Sequence, residues 1–195
     1  GRALLNHMND IKKMKLYSDA YRIFRDLKAL GYSKNDKLNL EDVNQFDQLH
    51  YHGTLSVQDA IKAVNINKND NVLEVGAGWG GPSRYIAYKT RAHVSALELQ
   101  KDYSEVGQEL TFRTGLEDLV KHINQDFLNF SQKENYFNKI VSWLALYHIP
   151  DRKKYTDKLF NLLSKNGMLF IEDLTFGESF ESSHKAMLEK RLFAN

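Results

Sequence analysis

The sequence predicts an α/β fold with a doubly wound, mostly parallel sheet and a smaller helical segment in front of it. From residue 72 onward, short apolar segments of strand length alternate with helical stretches, a pattern typical of parallel sheets covered by helices. A glycine-rich turn, Gly76 to Gly81, separates the first strand from the first helix of this region. Such a turn brings backbone amides against a ligand.

Length and composition favour one globular domain. The chain has 195 residues, of which 42% are hydrophobic, and a domain of this size buries roughly 70% of its unfolded surface. With 27 basic and 25 acidic side chains, the net charge of +2 is too balanced to indicate a nucleic-acid partner. The sequence has no cysteine and no ligand-spaced histidines, so no metal site is expected.

No apolar run approaches the roughly 18 residues that a membrane span requires. We therefore expect a cytoplasmic protein without a membrane span, either a monomer or a homodimer.

The first element is an amphipathic helix from Ile11 to Leu30, with Gly31 as its stop signal. Residues 32–47 are polar and predict a connector with a short helix after Asn39. Residues 56–64 form another short helix, and residues 65–71 form a loop. The expected organisation is an N-terminal helical lid, residues 1–55, followed by a ligand-binding core, residues 56–195.

The core alternates strands and helices. Strands are predicted at 72–76, 92–98, 120–124, 139–143 and 168–172. Helices are predicted at about 81–89, 101–113, 151–163 and 178–192. The chain therefore contains five predicted strands, and its tail is predicted to be helical.

The glycine loop alone does not identify its ligand. Gly76, Gly78 and Gly81 satisfy the spacing of a dinucleotide-binding loop. Glu98 ends the next strand, where its carboxylate is placed to hold a ribose diol of either a dinucleotide or another nucleoside. Both alternatives remain open at this point.

Two neighbouring motifs resemble class I S-adenosylmethionine-dependent methyltransferases. Glu74 stands two residues before Gly76, as in the first motif of that family, where an acidic residue lies near the methionine part of the cofactor. Asp126 and Phe127 close the third strand, where the family has an Asp that accepts from the adenine amino group and an apolar neighbour that packs on the ring. Residues 162–172 also resemble the family's turn into strand five, with Asn166 in place of a proline.

This resemblance implies a Rossmann-like class I methyltransferase fold with S-adenosylmethionine as cofactor and S-adenosylhomocysteine as product. The family's sheet has seven strands, so the last strands are expected to be missing here. The cofactor-binding residues implied are Tyr51, Glu74, Gly76, Ala77, Gly78, Trp79, Gly80, Glu98, Leu99, Asp126, Phe127 and Trp143.

Two further segments bear on the methyl acceptor. Residues 80–84, Gly-Gly-Pro-Ser-Arg, resemble a subset that includes sarcosine/dimethylglycine, tocopherol and sterol methyltransferases. Residues 46–54 lack the aromatic, glycine-rich segment of sterol enzymes, which disfavours a sterol. Residues 142–152 resemble phosphoethanolamine methyltransferases, in which a His at the position of His148 lies at the active site, although Leu144 replaces an Asp found there.

By this resemblance, His148 and Tyr51 are the candidate catalytic residues, and His52, Tyr147 and His148 are the candidate substrate contacts. His148 titrates near neutrality and suits a general base. Its alternative role is to cap the next helix. Trp143, Tyr147 and Tyr51 offer aromatic faces to a methylated ammonium, or they belong to the core.

Three functions are compatible with these residues. The first is methyl transfer to a small-molecule amine, such as a glycine derivative or phosphoethanolamine. The second is transfer to an oxygen, sulfur or carbon acceptor of lipid or quinone type. The third is a catalytically silent, cofactor-binding partner subunit.

Overall fold

A computed structural model describes residues 20–48, 53–133, 135–143, 150–175 and 182–189. The helices are α1 (20–29), α2 (Leu40–Asn44), α3 (Thr54–Ala63), α4 (Gly81–Thr90), α5 (Lys101–Arg113) and α6 (Arg152–Leu162). The strands are β1 (Asn71–Val75), β2 (His93–Glu98), β3 (Val120–Asn124), β4 (Phe137–Ser142), β5 (Leu163–Thr175) and β6 (Ser182–Glu189).

The strands form one sheet in the order β3-β2-β1-β4-β5-β6. β1 to β5 are parallel, and β6 pairs antiparallel with β5. After β1 the chain adds β2 and β3 on one side and then crosses to add β4 and β5 on the other. This confirms the predicted doubly wound, mostly parallel sheet, and it places the topological switch, where such folds bind ligands, beside β1.

The predicted helix over 178–192 is wrong. Residues 182–189 form β6, whose pairing with β5 runs from Thr175 opposite Ser182 to Met168 opposite Glu189. Apolar residues at helical spacing favoured a helix, but pairing with β5 gives the backbone groups of both segments hydrogen-bond partners. The sheet therefore has a sixth strand, which corrects the expectation that every strand after the fifth is missing.

The other predicted elements lie close to the observed ones. α5 and β3 have the predicted bounds, β1 is shifted by one residue, and β2 and α4 each differ from the prediction by one residue at one end. The short helix expected after Asn39 is α2, in which the amide of Glu41 donates to Oδ1 of the capping residue Asn39 at 2.9 Å. Of the helix predicted from Ile11, the part before residue 20 lies outside the described residues.

Two apolar clusters cover the two faces of the sheet. One joins α3 and α4 to alternate residues of the strands, including Val72 of β1. The other joins α6 to the opposite residues, including Leu73 of β1. Because both faces are covered, the central strand β1 is buried at every residue from Val72 to Val75.

A third apolar cluster attaches the N-terminal segment to the core. Ile23 and Leu27 of α1 pack with Val106 and Leu110 of α5 and with Trp79 of the glycine loop. The boundary between lid and core at residue 55 stays a prediction. In the described ranges, no helix combines the length and apolar character that crossing a bilayer would require.

Candidate cofactor site

Five residues lie in one row across the parallel strands, four of them at or just beyond the ends of β1 to β4 and the fifth within β5. Val75 of β1 is in register with Leu97 of β2 and Ser142 of β4, and Ser142 is in register with Ile171 of β5. The residues that follow these positions are Gly76, Glu98, Trp143 and Glu172. Asn124 of β3 is paired with Glu98 and extends the row. Three of these five, Gly76, Glu98 and Trp143, are predicted cofactor residues.

The glycine loop between β1 and α4 turns through left-handed backbone. Gly76, Gly78 and Gly80 have φ angles of 73°, 55° and 80°, which L side chains rarely adopt. The amides of Gly76 and Ala77 both donate to the carbonyl oxygen of Leu97, at 3.0 and 2.9 Å, and the Gly80 amide donates to that of Ala77 at 2.7 Å. The loop is thus held by hydrogen bonds within the protein.

Glu98 lies beside this loop with both carboxylate oxygens oriented by backbone amides. Gly78 N–H donates to Oε1 and Gln100 N–H donates to Oε2, each at 2.8 Å. A carboxylate oxygen accepts more than one hydrogen bond, and the residue is half-buried. The carboxylate can therefore still accept hydrogen bonds from a pair of hydroxyl groups.

Glu74 points from β1 to the N-terminus of α4. Its side chain is 2% exposed, and Oε1 accepts from the amide of Ser83 at 3.1 Å and from the Ser83 hydroxyl at 2.7 Å. The partial positive charge of a helix N-terminus favours an anion here. Burial nevertheless raises the pKa of Glu74 to about 8.

These contacts distinguish between the two ligand classes left open by the sequence. A dinucleotide loop offers free amides and a helix N-terminus to a pyrophosphate. Here protein acceptors already bind four amides of the loop, those of Gly76, Ala77, Gly78 and Gly80. The Glu74 carboxyl group lies at the helix N-terminus. Carboxyl groups at this edge suit the ribose hydroxyls and the positive sulfonium of S-adenosylmethionine, and they disfavour a pyrophosphate.

The adenine contacts implied by the sequence lie at the ends of β2 and β3. Asp126 is half-buried, and its Oδ1 accepts from the Leu128 amide at 3.0 Å. The Phe127 ring is only 7% exposed, with its centroid 4.5 Å from that of Tyr155. Leu99 is 66% exposed. The structure therefore leaves more of Leu99 than of Phe127 open to a ligand, and the roles of all three stay predictions.

Trp79 has a different environment from the one expected of a ligand contact. Its side chain is 1% exposed, its indole N–H donates to the carbonyl oxygen of Ala20 at 2.9 Å, and its ring lies 5.3 Å from that of Tyr103. The indole therefore joins the glycine loop to α1, and the cofactor role of Trp79 stays a prediction. The sequence could not indicate this because the two segments are far apart in the chain.

A buried hydrogen-bond chain lies at the ends of β4 and β5. The indole N–H of Trp143 donates to Oγ of Ser56 at 2.7 Å, and the Ser56 hydroxyl donates to Oε2 of Glu172 at 2.6 Å. The sequence analysis did not select Ser56 or Glu172. The available signal was an acidic residue within the apolar segment of β5.

Tyr51, His52, Tyr147 and His148 lie outside the described residues, so their predicted roles stay predictions. In the part of the chain that the structure describes, no three histidine or acidic side chains are grouped to hold a metal ion.

Comparisons with known proteins identify the family of this chain. Residues 44–194 match the mycolic acid cyclopropane synthetase family. The glycine/sarcosine/dimethylglycine N-methyltransferase of Actinopolyspora halophila is 26% identical over 137 residues, covering 70% of this chain and 24% of that protein. A sterol 24-C-methyltransferase of Gibberella zeae is 27% identical over 129 residues, covering 66% of this chain and 34% of that protein. The chain thus spans about a quarter to a third of the length of these relatives.

A solved structure supports the fold. The phosphoethanolamine N-methyltransferase 2 of Haemonchus contortus, in complex with S-adenosyl-L-methionine, aligns with a TM-score of 0.62 at 20% identity, over 69% of this chain and 33% of that chain. The family match covers most of the chain, including the glycine loop, Glu98 and Asp126. The chain therefore belongs to the mycolic acid cyclopropane synthetase family of S-adenosylmethionine-dependent methyltransferases.

Proposed function

We propose that this chain binds S-adenosylmethionine at the carboxyl ends of β1, β2 and β3 and that the protein transfers the methyl group to a small molecule. The observation that carries the proposal is the Glu98 carboxylate, which two backbone amides hold beside a glycine loop in which the amides of Gly76, Ala77, Gly78 and Gly80 already donate to protein acceptors. This arrangement suits a ribose diol, and those four amides are not free to bind a pyrophosphate.

Methyl transfer is an in-line displacement, so most of the rate enhancement comes from alignment of the acceptor with the methyl group. Bound S-adenosylmethionine supplies an electrophilic methyl group on a sulfonium. In the proposed arrangement, Glu98 accepts from the ribose hydroxyls and Asp126 from the adenine amino group. These two contacts orient the nucleoside, and Glu74 adds a carboxyl group behind the loop.

A small-molecule amine is the acceptor that we propose. Trp143 directly follows β4 and Glu172 lies within the neighbouring strand β5, in the same row as Gly76, and a carboxylate beside an aromatic ring would favour a cationic ammonium group. The name of the Actinopolyspora relative, a methyltransferase of glycine and its N-methyl derivatives, points the same way. An amine that arrives protonated needs a base, and His148 is our candidate, with Tyr51, His52 and Tyr147 as further acceptor contacts.

A carbon acceptor of lipid type is the second candidate. Its support is the family name, which refers to cyclopropane formation on mycolic acids, and the sterol methyltransferase among the relatives. Against a sterol stands the segment 46–54, which lacks the aromatic, glycine-rich motif of sterol enzymes.

Isothermal titration with S-adenosylhomocysteine tests the cofactor site. We expect micromolar binding by the wild-type chain and at least about tenfold weaker binding by Glu98→Ala, because hydrogen bonds to a charged group contribute about 1.5–3 kcal/mol each. Glu98→Gln removes the charge but keeps an acceptor for the Gly78 amide. It therefore separates the effect of the lost charge from the effect of a loosened loop.

The matched control is Glu105→Ala, which removes a carboxylate that is 55% exposed on α5. It should bind like the wild type, and NAD should not bind. Wild-type affinity in Glu98→Ala, or preferential binding of NAD, would contradict the proposed site.

Transfer of a radiolabelled methyl group distinguishes the acceptor classes. The panel contains sarcosine, dimethylglycine and phosphoethanolamine on one side, and a sterol and an unsaturated fatty acid in detergent on the other. With an amine acceptor, Glu172→Gln should raise the KM for the amine at least about tenfold by removing a charged partner, while the KM for S-adenosylmethionine stays within about twofold.

Glu117→Gln, at an exposed position before β3, serves as the control and should leave both KM values unchanged. Methylation of the lipid panel alone would contradict the amine proposal and favour the second candidate.

A further inference from the structure

Arg84 forms a buried ion pair directly behind the glycine loop. It is the fourth residue of α4, and its Nη2 lies 3.0 Å from Oδ2 of Asp47, with neither side chain exposed. Its Nη1 donates to the carbonyl oxygen of Gly107 and to Oγ1 of Thr111, both at 3.1 Å and both on α5. One guanidinium therefore joins three segments: α4, α5 and the residues that follow α2.

The backbone at Asp47 lies directly against the first turn of α4. A Cβ added at Gly81 would overlap the carbonyl oxygen of Asp47 and would lie 2.8 Å from Nε2 of Gln48. Glycine at position 81 thus permits the close approach that the ion pair requires. This gives a physical reason for two residues of the Gly-Gly-Pro-Ser-Arg segment, Gly81 and Arg84.

A second contact attaches the N-terminal segment to the same loop. Trp79 donates its indole N–H to Ala20 of α1, and the Arg22 guanidinium lies 4.7 Å from the centroid of the Trp79 ring. The N-terminal segment, residues 20–48, therefore contacts the loop and its helix at two separate points, one at Trp79 and one at Arg84.

Stability alone is a weak reason for a buried ion pair, because the cost of desolvating two charges offsets most of their attraction. An apolar pair of similar volume often serves stability equally well. A guanidinium, however, has donors in a fixed planar arrangement and holds several acceptors at set positions. Its particular contribution here is geometry.

We infer that Arg84 is a positioning residue for the cofactor: with Asp47, it holds the N-terminal segment, α4 and α5 in the arrangement that keeps the glycine loop in its binding conformation. The inference rests on the proposed function. If the loop keeps this conformation for only a tenth of the time, the apparent Kd of the cofactor rises tenfold.

The test compares S-adenosylhomocysteine affinity with thermal stability in the full chain. The variants are Arg84→Met, Asp47→Asn and the double variant Asp47→Leu/Arg84→Met. The matched control is Lys139→Met, which breaks another largely buried ion pair, with Asp70 at 3.2 Å, at the opposite end of the sheet. Isothermal titration gives the Kd, and thermal unfolding shows that each variant is folded at the temperature of the titration.

We expect the double variant to be more stable than Arg84→Met, because it leaves no unpaired buried charge, yet to bind S-adenosylhomocysteine at least about tenfold more weakly than the wild type. Lys139→Met should lose stability without a change in Kd. If Arg84→Met does not fold, Asp47→Asn decides, since it removes one charge while keeping the shape of the side chain.

Kd values within twofold of the wild type in both Asp47→Asn and the double variant would overturn the inference and leave Arg84 a structural role only. An equal loss of affinity in Lys139→Met would overturn it as well. Absence of binding by the folded wild type would instead refute the proposed function, on which this inference rests.

Discussion

At the scale of single residues, Glu74 has the most unusual environment in the site. Two opposing effects act on its carboxyl group: burial favours the neutral form, whereas the Ser83 hydroxyl, the Ser83 amide and nearby Arg84 favour the carboxylate. Burial is the larger effect, so the pKa is raised from 4.5 to about 8. A cationic ligand close to this carboxyl group would favour its ionised form.

The raised pKa of Glu74 has a measurable effect on stability. Between pH 4.5 and about 8, the folded chain holds a proton on Glu74 that the unfolded chain has released, so the free energy of unfolding falls as the pH rises. From pH 6.5 to pH 8 we expect a loss of about 1–2 kcal/mol. Glu74→Gln should remove this part of the pH dependence, which urea unfolding at the two pH values measures.

The pH range from 6.5 to 8 separates the titration of Glu74 from that of His122. Burial, together with the positive charge of Arg84, lowers the pKa of His122 to about 3. Between about pH 3 and pH 6.5, the effect of His122 on the free energy of unfolding therefore has the opposite sign to that of Glu74. This effect fades above pH 6.5. Glu105→Gln, at an exposed site, is the control. An identical pH dependence in the wild type and Glu74→Gln would show that the carboxyl group titrates at its ordinary pKa.

At the scale of elements, α5 contains a glycine that helix propensity alone disfavours. Gly107 lies in the middle of the helix, where alanine is more favourable by about 1 kcal/mol. A Cβ at this position would lie 2.7 Å from the carbonyl oxygen of Trp79 and 2.8 Å from Cε1 of His122. The glycine therefore permits α5 to pack closely against the cofactor loop.

We expect Gly107→Ala to destabilise the chain by about 1–3 kcal/mol through overpacking, although the same change in an exposed helix would stabilise it. Urea unfolding measures the difference. Gln108→Ala, at the exposed neighbouring position, should stay within about 0.5 kcal/mol of the wild type. An increase in stability for Gly107→Ala would mean that α5 can move away from the loop at little cost.

The element that the sequence misassigned is the last one. Residues 182–189 contain no alternation of apolar and polar residues strong enough to predict a strand. The helical spacing of apolar residues in the tail reports only a local preference. Pairing along eight positions of β5 decides the conformation instead. The periodicity of a segment does not show which neighbouring strand the segment can pair with.

At the scale of the whole molecule, the cofactor site depends on the N-terminal segment as well as on the sheet. The contacts of Trp79 with Ala20 and of Arg84 with Asp47 join residues 59 and 37 positions apart. Part of the predicted lid therefore supports the glycine loop. These contacts are the basis of the Arg84 experiment, in which we expect a substitution behind the loop to weaken the binding of the cofactor.

The sequence by itself determined the order and approximate bounds of β1 to β5 and of α4 to α6, because buried parallel strands and amphipathic helices leave local patterns. It also determined the position of the glycine loop and of Glu74, Glu98 and Asp126, because strand ends carry these groups to one edge. Only the tertiary structure decided that β6 pairs with β5 and that Trp79 contacts α1. It also decided that Arg84 pairs with Asp47 and that Glu172 and Ser56 meet Trp143. Each of these depends on contacts between distant segments, which local periodicity cannot encode.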